Sequence, residues 1–546
     1  MFNDARLSTL LEWCAENSIL IDDRIQIRYH GVETMQQGVF AKDEFIPEKT
    51  TLVKIPKSAI LSVKTSSMVH PLPQHHVGVA AQLSLSLALY IEILKETRSR
   101  FYGYLQSLPS GIVDLPVFWS VNKNCERTST NTPDYGDGPA ALRWLSSTDS
   151  GDLLSHKTEN GMTLLDEVTF FYHAEALPAI GNLTAEHEAA LPPTARPDLL
   201  GFYRAFSLVS SRAFLVDAFH GLAMVPVADA FNHVIENSIH LESDYDVCPE
   251  CGSLDECSHD LDTMPSEKAS LCGDEVEILS HYRDQHLEMV SNLAIPPGTE
   301  IFNTYGEHLG NAQLLNQYGF ILDVNHNDRL KWTLQQIIDT IGLLDVHVGI
   351  GSDSNTAAND TSAKLKADVH AVCSTLSDVS AHFPSQLAFF DNEQCTIGDL
   401  LYCLNDEGSL SRELWTLLFI LSFRHHRKTV SLSGAQTPTT VASSVWRLQI
   451  WAEDYDDSDD DNEENMVTDK DEKESQTTSQ GTSRNLVPES LLDPLAQSIL
   501  LQMSGWVVDL CGARKRRIGI PEAWKMDLSD VMEVFTSTHD QWKCTL

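Results

Sequence analysis

Strand-like segments fall in two blocks, residues 18–62 and 223–304, and a helical stretch, residues 80–215, stands between them. Grouped strands and grouped helices indicate an α+β chain. In the first block Gln26 to Tyr29, Gly38-Val39-Phe40-Ala41 and Thr51 to Pro56 read as short strands, with turns at Gly31, Gly38 and Pro47. In the middle, Leu83, Leu87, Tyr90, Ile91 and Leu94 recur at helical spacing, which leaves Glu92 and Lys95 to face water. Further helices are expected near 163–177 and 198–219, and Asn131 to Gly138 reads as a turn-rich loop. In the second block Glu275 to Ile278 and His286 to Met289 alternate, and Ile295-Pro296-Pro297-Gly298-Thr299 forms a turn. From about 326 onward the chain reads as helical, with Leu330, Trp332, Ile337, Ile338, Leu343 and Leu344 as core.

A chain of 546 residues suggests about two to four domains. Its 78 Asp and Glu against 38 Lys and Arg leave a net charge of −40. Phosphate contacts are built from clustered cations, so this balance speaks against nucleic acid or anionic membrane as partners and for a basic protein. No apolar run reaches the roughly 18 residues of a membrane span. Leu7, Leu10, Leu11 and Cys14, flanked by Asp4 and Glu12, form an amphipathic helix rather than a secretory leader. Eleven scattered cysteines do not make a disulfide scaffold. The expectation is a soluble monomer of the cytoplasm or nucleus. Glu453 to Glu474, and the polar run on to 485, are too poor in apolar side chains to order themselves and read as a disordered acidic loop. That loop is either a solubilising connection or a lure for a basic substrate. Arg514-Lys515-Arg516-Arg517 reads as a solvated helix end or a partner contact.

Four segments carry side chains suited to chemistry: Gly38-Val39-Phe40-Ala41, Ser211-Arg212-Ala213-Phe214, Pro226-Val227-Ala228-Asp229-Ala230-Phe231-Asn232-His233, and Phe302-Asn303-Thr304-Tyr305-Gly306 followed by Tyr318-Gly319-Phe320. Singly each is an ordinary turn, helix cation or strand end; their order and spacing together are not ordinary. With Tyr104-Leu105 and Leu108-Pro109, they make the chain resemble the SET-domain protein-lysine methyltransferases, in the branch of the Rubisco large-subunit and fungal ribosomal-protein lysine methyltransferases.

The resemblance covers residues 18 to about 330. It implies small curved β-sheets around a threaded segment, an exception to the usual avoidance of knots. It implies a SET domain over 18–325 with a helical insert at about 80–215 and a Cys-rich insert at about 241–274. A helical substrate-binding domain would follow over 326–546, with the acidic loop at about 453–485. It further implies S-adenosylmethionine as cofactor. Met35, Gln36, Gln37, Val39, Arg212, Asp229, Asn232 and His233 would bind that cofactor, Tyr318 and Phe320 would line the lysine channel, and Tyr305 would stand at the transfer point. Arg212 would either pair with the cofactor's carboxylate or hold Asp229. Many relatives carry Gly-x-Gly where this chain has Gln36-Gln37-Gly38, so only the second glycine remains.

The chemistry suits these residue types. Methyl transfer from a sulfonium to an amine is an in-line displacement, and alignment alone can be worth about 7–11 kcal/mol. The lysine, with an ordinary pKa of about 10.4, must be neutral, and an apolar channel beside a sulfonium lowers that value. A phenol is a poor base at neutral pH, so Tyr305 would orient the amine rather than deprotonate it. The expected client is a non-histone protein, with a ribosomal protein foremost. Methylation of histidine on the same fold, or a non-catalytic adaptor, are the alternatives.

Cys248-Pro249-Glu250-Cys251 followed by Cys257-Ser258-His259 has the spacing of a tetrahedral structural zinc set, in which Cys272 is an alternative to His259. The competing reading is a surface insert with free cysteines.

Overall fold

A computed structural model of the chain describes residues 2–30, 36–67, 75, 77–121, 138–158, 160–186, 191–254, 257, 259, 285–341, 402–405, 408–429, 441–442, 444–445 and 493–518. The chain divides into two units, Met1–Asn327 and Asp328–Leu546. Met35, Cys272, the expected strand at 275–278, most of the loop at 131–138, Leu343, Leu344 and the acidic loop lie outside the described residues.

The described strands of the first unit are β1 (Leu20–Ile21), β2 (Ile25–Tyr29), β3 (Gln37–Ala41), β4 (Thr51–Pro56), β5 (Leu61–Ser62), β6 (Ala213–Leu215), β7 (Leu222–Met224), β8 (Ile239–Glu242), β9 (His286–Ser291) and β10 (Glu300–Ile301). They form three small antiparallel sheets, ordered β1-β4-β9-β8, β10-β3-β2 and β5-β7-β6. Each sheet joins both sequence blocks: Ile55 pairs with Leu287, Val39 with Ile301, and Leu61 with Met224. The helical stretch is therefore an excursion from a β body whose halves zip together across it. The driving force is apolar: Ile25, Ile27, Val39, Ala41, Val53, Ile55, Leu287, Met289 and Ile301 are buried in one core.

The excursion begins with the helix Gly78–Leu94, which packs on the helix Leu199–Arg212. Glu92 does not face water, as its spacing suggested. It is fully buried, accepting from the Ser67 N–H at 2.9 Å and the Ser99 hydroxyl at 2.6 Å, with the Lys95 ammonium 3.7 Å away. The helix is apolar almost all round, so its one carboxylate goes inward and is met by donors. The helix expected over 198–219 stops at Arg212. Ala213 to Leu215 instead pair with Leu222 to Met224, and Asp217 caps the hairpin by accepting from the N–H groups of Phe219 and His220 at 3.0 and 2.7 Å. The helix expected near 163–177 runs as Leu164–Phe171, a π-turn at Tyr172–Ala176, and a further helix Leu177–Glu186.

The N-terminal helix Phe2–Glu16 is present and lays Trp13 against Phe101 and Tyr104, with ring centroids 6.5 and 6.2 Å apart.

In the second unit the helices Leu334–Ile341, Arg412–Thr429 and Pro494–Ile518 share a core of Ile337, Leu414, Leu417, Leu418, Ile499 and Leu510. A feature absent from the sequence reading is a two-stranded sheet, β11 (Arg329–Trp332) with β12 (Tyr402–Asn405). Lys515, Arg516 and Arg517 close the last helix where cations favour its dipole, whereas Arg514 is buried and not solvated. Among the described residues no helix is long and apolar enough to cross a membrane.

Candidate active site

The residues after β10 run parallel to residues 232–234, an arrangement unlike the antiparallel pairing of every sheet. The Asn303 N–H donates to the Asn232 carbonyl at 2.8 Å, and the Val234 N–H donates to the Asn303 carbonyl at 3.1 Å. Phe231 and Ile301, both fully buried, fix the two segments from below. Two stretches some 70 residues apart are thereby laid side by side, with His233 and Tyr305 at their upper ends.

The Tyr305 N–H donates to His233 Nδ1 at 3.0 Å, and its hydroxyl donates to the Phe231 carbonyl at 3.2 Å. The two rings stack at 5.2 Å between centroids and 28° between planes. Tyr318 lies 4.6 Å from the Tyr305 ring and Phe320 stands edge-on to it at 6.2 Å. Both come from the end of the helix Asn311–Tyr318. Gly319, at φ +81°, terminates that helix by donating to the Leu314 and Leu315 carbonyls and turns Phe320 back toward the cluster. The Asp114 carbonyl would lie 2.8 Å from a Cβ at Gly319, so a larger residue is excluded twice over.

Burial governs the electrostatics here. It pushes the Tyr305 phenol up to about 12, an effect that Arg212 opposes and Asp229 adds to. Tyr318 is raised in the same way. Both are neutral donors at physiological pH. Burial also lowers His233, whose Nδ1 must be unprotonated to accept from Tyr305 and whose Nε2 is buried without a hydrogen-bond partner. His233 is thus neutral in the fold yet protonates near 6.5 once the chain unfolds. Its contribution to stability is complete above about 6.5 and is lost as pH falls through that value toward the lower folded pKa. Urea midpoints measured at pH 7.5 and 5.5 should differ less in His233→Asn than in the wild type; equal differences would contradict this role.

Beside this cluster Asn232 ties three segments together. Its side-chain amide donates to the Gln37 carbonyl at 3.0 Å and to Glu300 Oε1 at 2.8 Å, and lies 3.1 Å from His30 Nε2. His30 and Glu300 are themselves 3.0 Å apart. Gly38 is enclosed by this group: a Cβ would lie 2.5 Å from His30 Nε2 and 2.6 Å from Glu300 Oε1. A side chain at the glycine that the sequence retains would therefore have to displace the ends of His30 and Glu300. Gln37 is buried, its amide donating to the Tyr29 hydroxyl at 3.0 Å, while Gln36 is exposed. Val39 is fully buried in the core and offers this site only its backbone. Sequence reasoning missed His30 and Glu300, because nothing local marks a lone polar residue whose partner lies 270 positions away.

Arg212 lies against Asp229. Its Nη1 donates to the Asp229 carbonyl at 2.8 Å and stands 3.9 Å from the carboxylate, which accepts from the Tyr104 hydroxyl at 2.8 Å. Burial raises the Asp229 carboxyl and Arg212 lowers it in opposition. Val227, just before this turn, is held at φ +71°. A β-branched residue there costs about 1–3 kcal/mol, which the surrounding structure offsets.

The sulfurs of Cys248, Cys251 and Cys257 and a ring nitrogen of His259 form a second cluster, all within 4.8 Å of one another.

No protein-family profile matches the chain. Over 337 residues it is 26% identical to ribosomal lysine N-methyltransferase 3 of Saccharomyces cerevisiae, an alignment covering 53% of this chain and 58% of that protein. Over 344 residues it is 25% identical to N-lysine methyltransferase SETD6 of Homo sapiens, covering 58% and 59%. The matched stretch spans somewhat over half the length of these relatives. Among solved structures, the SET domain of LSMT bound to lysine and AdoHcy aligns with 97% of this chain and 98% of that one, at a TM-score of 0.45 and 15% identity.

Proposed function

We propose, for a chain related to the SET-domain protein-lysine methyltransferases, that it transfers a methyl group from S-adenosylmethionine to a lysine of a protein. The client class is a basic, non-histone protein, with a ribosomal protein foremost, met by a monomeric enzyme in the cytoplasm or nucleus. The observation that carries this reading is the parallel crossing of residues 232–234 with 302–304, which sets Tyr305 among His233, Tyr318 and Phe320. A net charge of −40 favours encounter with a basic client.

The donor set beside the cluster fits the cofactor. The backbone of Gln37 and Gly38 with Asn232 and His233 would hold it, and the buried, unpartnered Nε2 of His233 is a polar group such a ligand would satisfy. When bound, the sulfonium supplies the methyl group. This chain's own residues then do the aligning. The Tyr305 hydroxyl gives its proton to the Phe231 carbonyl, so its oxygen lone pairs are left to accept an N–H from the amine. That bond would turn the amine's lone pair along one direction, the main requirement of an in-line displacement. Tyr318 and Phe320 would flank the alkyl chain, exclude water and make the charged amine unfavourable. Asp229, through Arg212 and Tyr104, would hold the turn that leads into Asn232.

A modest consequence follows at Gly38. Gly38→Ala displaces the His30–Glu300 pair and should weaken cofactor binding about tenfold, near 1.4 kcal/mol, by titration calorimetry. Unchanged affinity would remove this segment from the cofactor site.

The function itself is tested by incubating the purified protein with methyl-labelled S-adenosylmethionine and extract from cells lacking it, then hydrolysing the labelled protein. Label in methyl-lysine is expected. Label in methyl-histidine, or none, overturns the reading.

A further inference from the structure

We propose that Cys248, Cys251, Cys257 and His259 bind one structural Zn²⁺ that clips the long connection between β8 and β9 to the first unit. With Zn–S near 2.3 Å and Zn–N near 2.0–2.1 Å, a tetrahedral centre separates a sulfur from a nitrogen donor by about 3.6 Å. His259 Nδ1 lies 3.8 Å from Cys248 Sγ and 3.5 Å from Cys257 Sγ. Those separations are the ones a shared metal imposes, and the four donor atoms converge on one point from residues spread over twelve positions. A disulfide would use two sulfurs and leave the third thiol and the imidazole unaccounted for; none of the three cysteines is in one.

The backbone supports the same conclusion. Between the first two cysteines the chain makes a tight knuckle. The Gly252 N–H donates to the Cys248 carbonyl at 2.7 Å, the Cys248 N–H to the Ser253 carbonyl at 2.9 Å, and Gly252 sits at φ +69°. Such a turn points both sulfurs to one side. The knuckle is anchored at separate points. Lys64 Nζ donates to the Pro249 carbonyl, the Gln285 amide donates to the Gly252 carbonyl at 3.0 Å, and Val247 packs on Phe219. Gln285 in turn receives the Lys57 N–H at 3.0 Å, immediately before β9 begins. The cluster thus closes the connection at its root, beside both strands it joins.

The composition of the set decides its role. Three thiolates and an imidazole prefer Zn²⁺ to magnesium or calcium, which take oxygen ligands. Four protein donors complete a tetrahedron and leave no position for water or substrate, so the site stabilises and does not catalyse. The inference is independent of methyl transfer and stands or falls separately.

Elemental analysis of the full chain, purified under reducing conditions after growth with zinc, should give about one zinc per chain. A thiol-specific mercurial should release it. Cys257→Ser and His259→Ala should each lose most of the metal to a mild chelator, whereas Cys511→Ser, in the second unit, should keep it. Because a variant can misfold, cobalt exchanged into the wild type serves as a second measurement. It should show the intense ligand-field bands of a tetrahedral ion and a thiolate charge-transfer band. Less than about a tenth of an equivalent of zinc, octahedral cobalt spectra, or full retention in both variants would overturn the site.

Discussion

Tyr305→Phe is expected to slow methyl transfer by about 100-fold or more while leaving the affinity for S-adenosylmethionine within about twofold. The ring stays, so stacking on His233 and packing against Tyr318 and Phe320 persist. Only the hydroxyl goes, and with it the acceptor that would orient the amine. The loss should appear in the chemical step, measured by single-turnover transfer to a client peptide, and not in cofactor binding. The pH dependence sharpens the test. Burial holds the phenol near 12, so its ionisation contributes no limb to the pH–rate profile below about 10. Wild type and Tyr305→Phe should therefore show profiles of the same shape, both rising as the substrate amine loses its proton. A limb that disappears in the variant would mean that Tyr305 acts as a base. Full activity in the variant would remove Tyr305 from the transfer point.

Asp229→Ala should have the largest effect on stability, about 3 kcal/mol or more by urea unfolding. The carboxylate is buried between the Tyr104 hydroxyl and Arg212, whose Nε is itself buried without a hydrogen-bond partner. Deleting it leaves the fully buried Tyr104 hydroxyl without its acceptor, which is the main cost, and removes the charge 3.9 Å from Arg212, whose bond to the residue 229 carbonyl remains. Asp229→Asn keeps an oxygen for Tyr104 and should lose much less. A loss below about 1 kcal/mol in Asp229→Ala would show that Arg212 finds water or another partner and that the turn does not depend on this network.

What could be read from the sequence follows from how local each signal is. The segment ending in Asn232-His233, and Tyr305, Tyr318 and Phe320, stand in dense motifs, and the structure brings His233 and the three aromatic rings into one cluster. The strands at 26–29, 38–41 and 51–56 were legible as short runs between turn residues, but Gly38, expected at a turn, lies inside β3 opposite Arg28. Pairing was not legible. Ala213-Phe214-Leu215 is as compatible with a helix as the residues before it, and only the distant β7 draws it into a hairpin. His30 and Glu300 carry no pattern of their own, and their meaning comes from Asn232, 202 and 68 positions away. Glu92 reads as an exposed position by helical spacing, but from Leu83 to Glu92 every position of that helix is buried.

Two segments, one ending at His233 and one at Tyr305, cross, and their crossing would make the methyl-transfer site. A crystal structure with S-adenosylhomocysteine tests this most directly. The ligand is predicted against the Gln37–Gly38 backbone and Asn232–His233, with its sulfur facing the Tyr305 hydroxyl. A ligand bound elsewhere, or a Tyr305 turned away from it, would contradict the account.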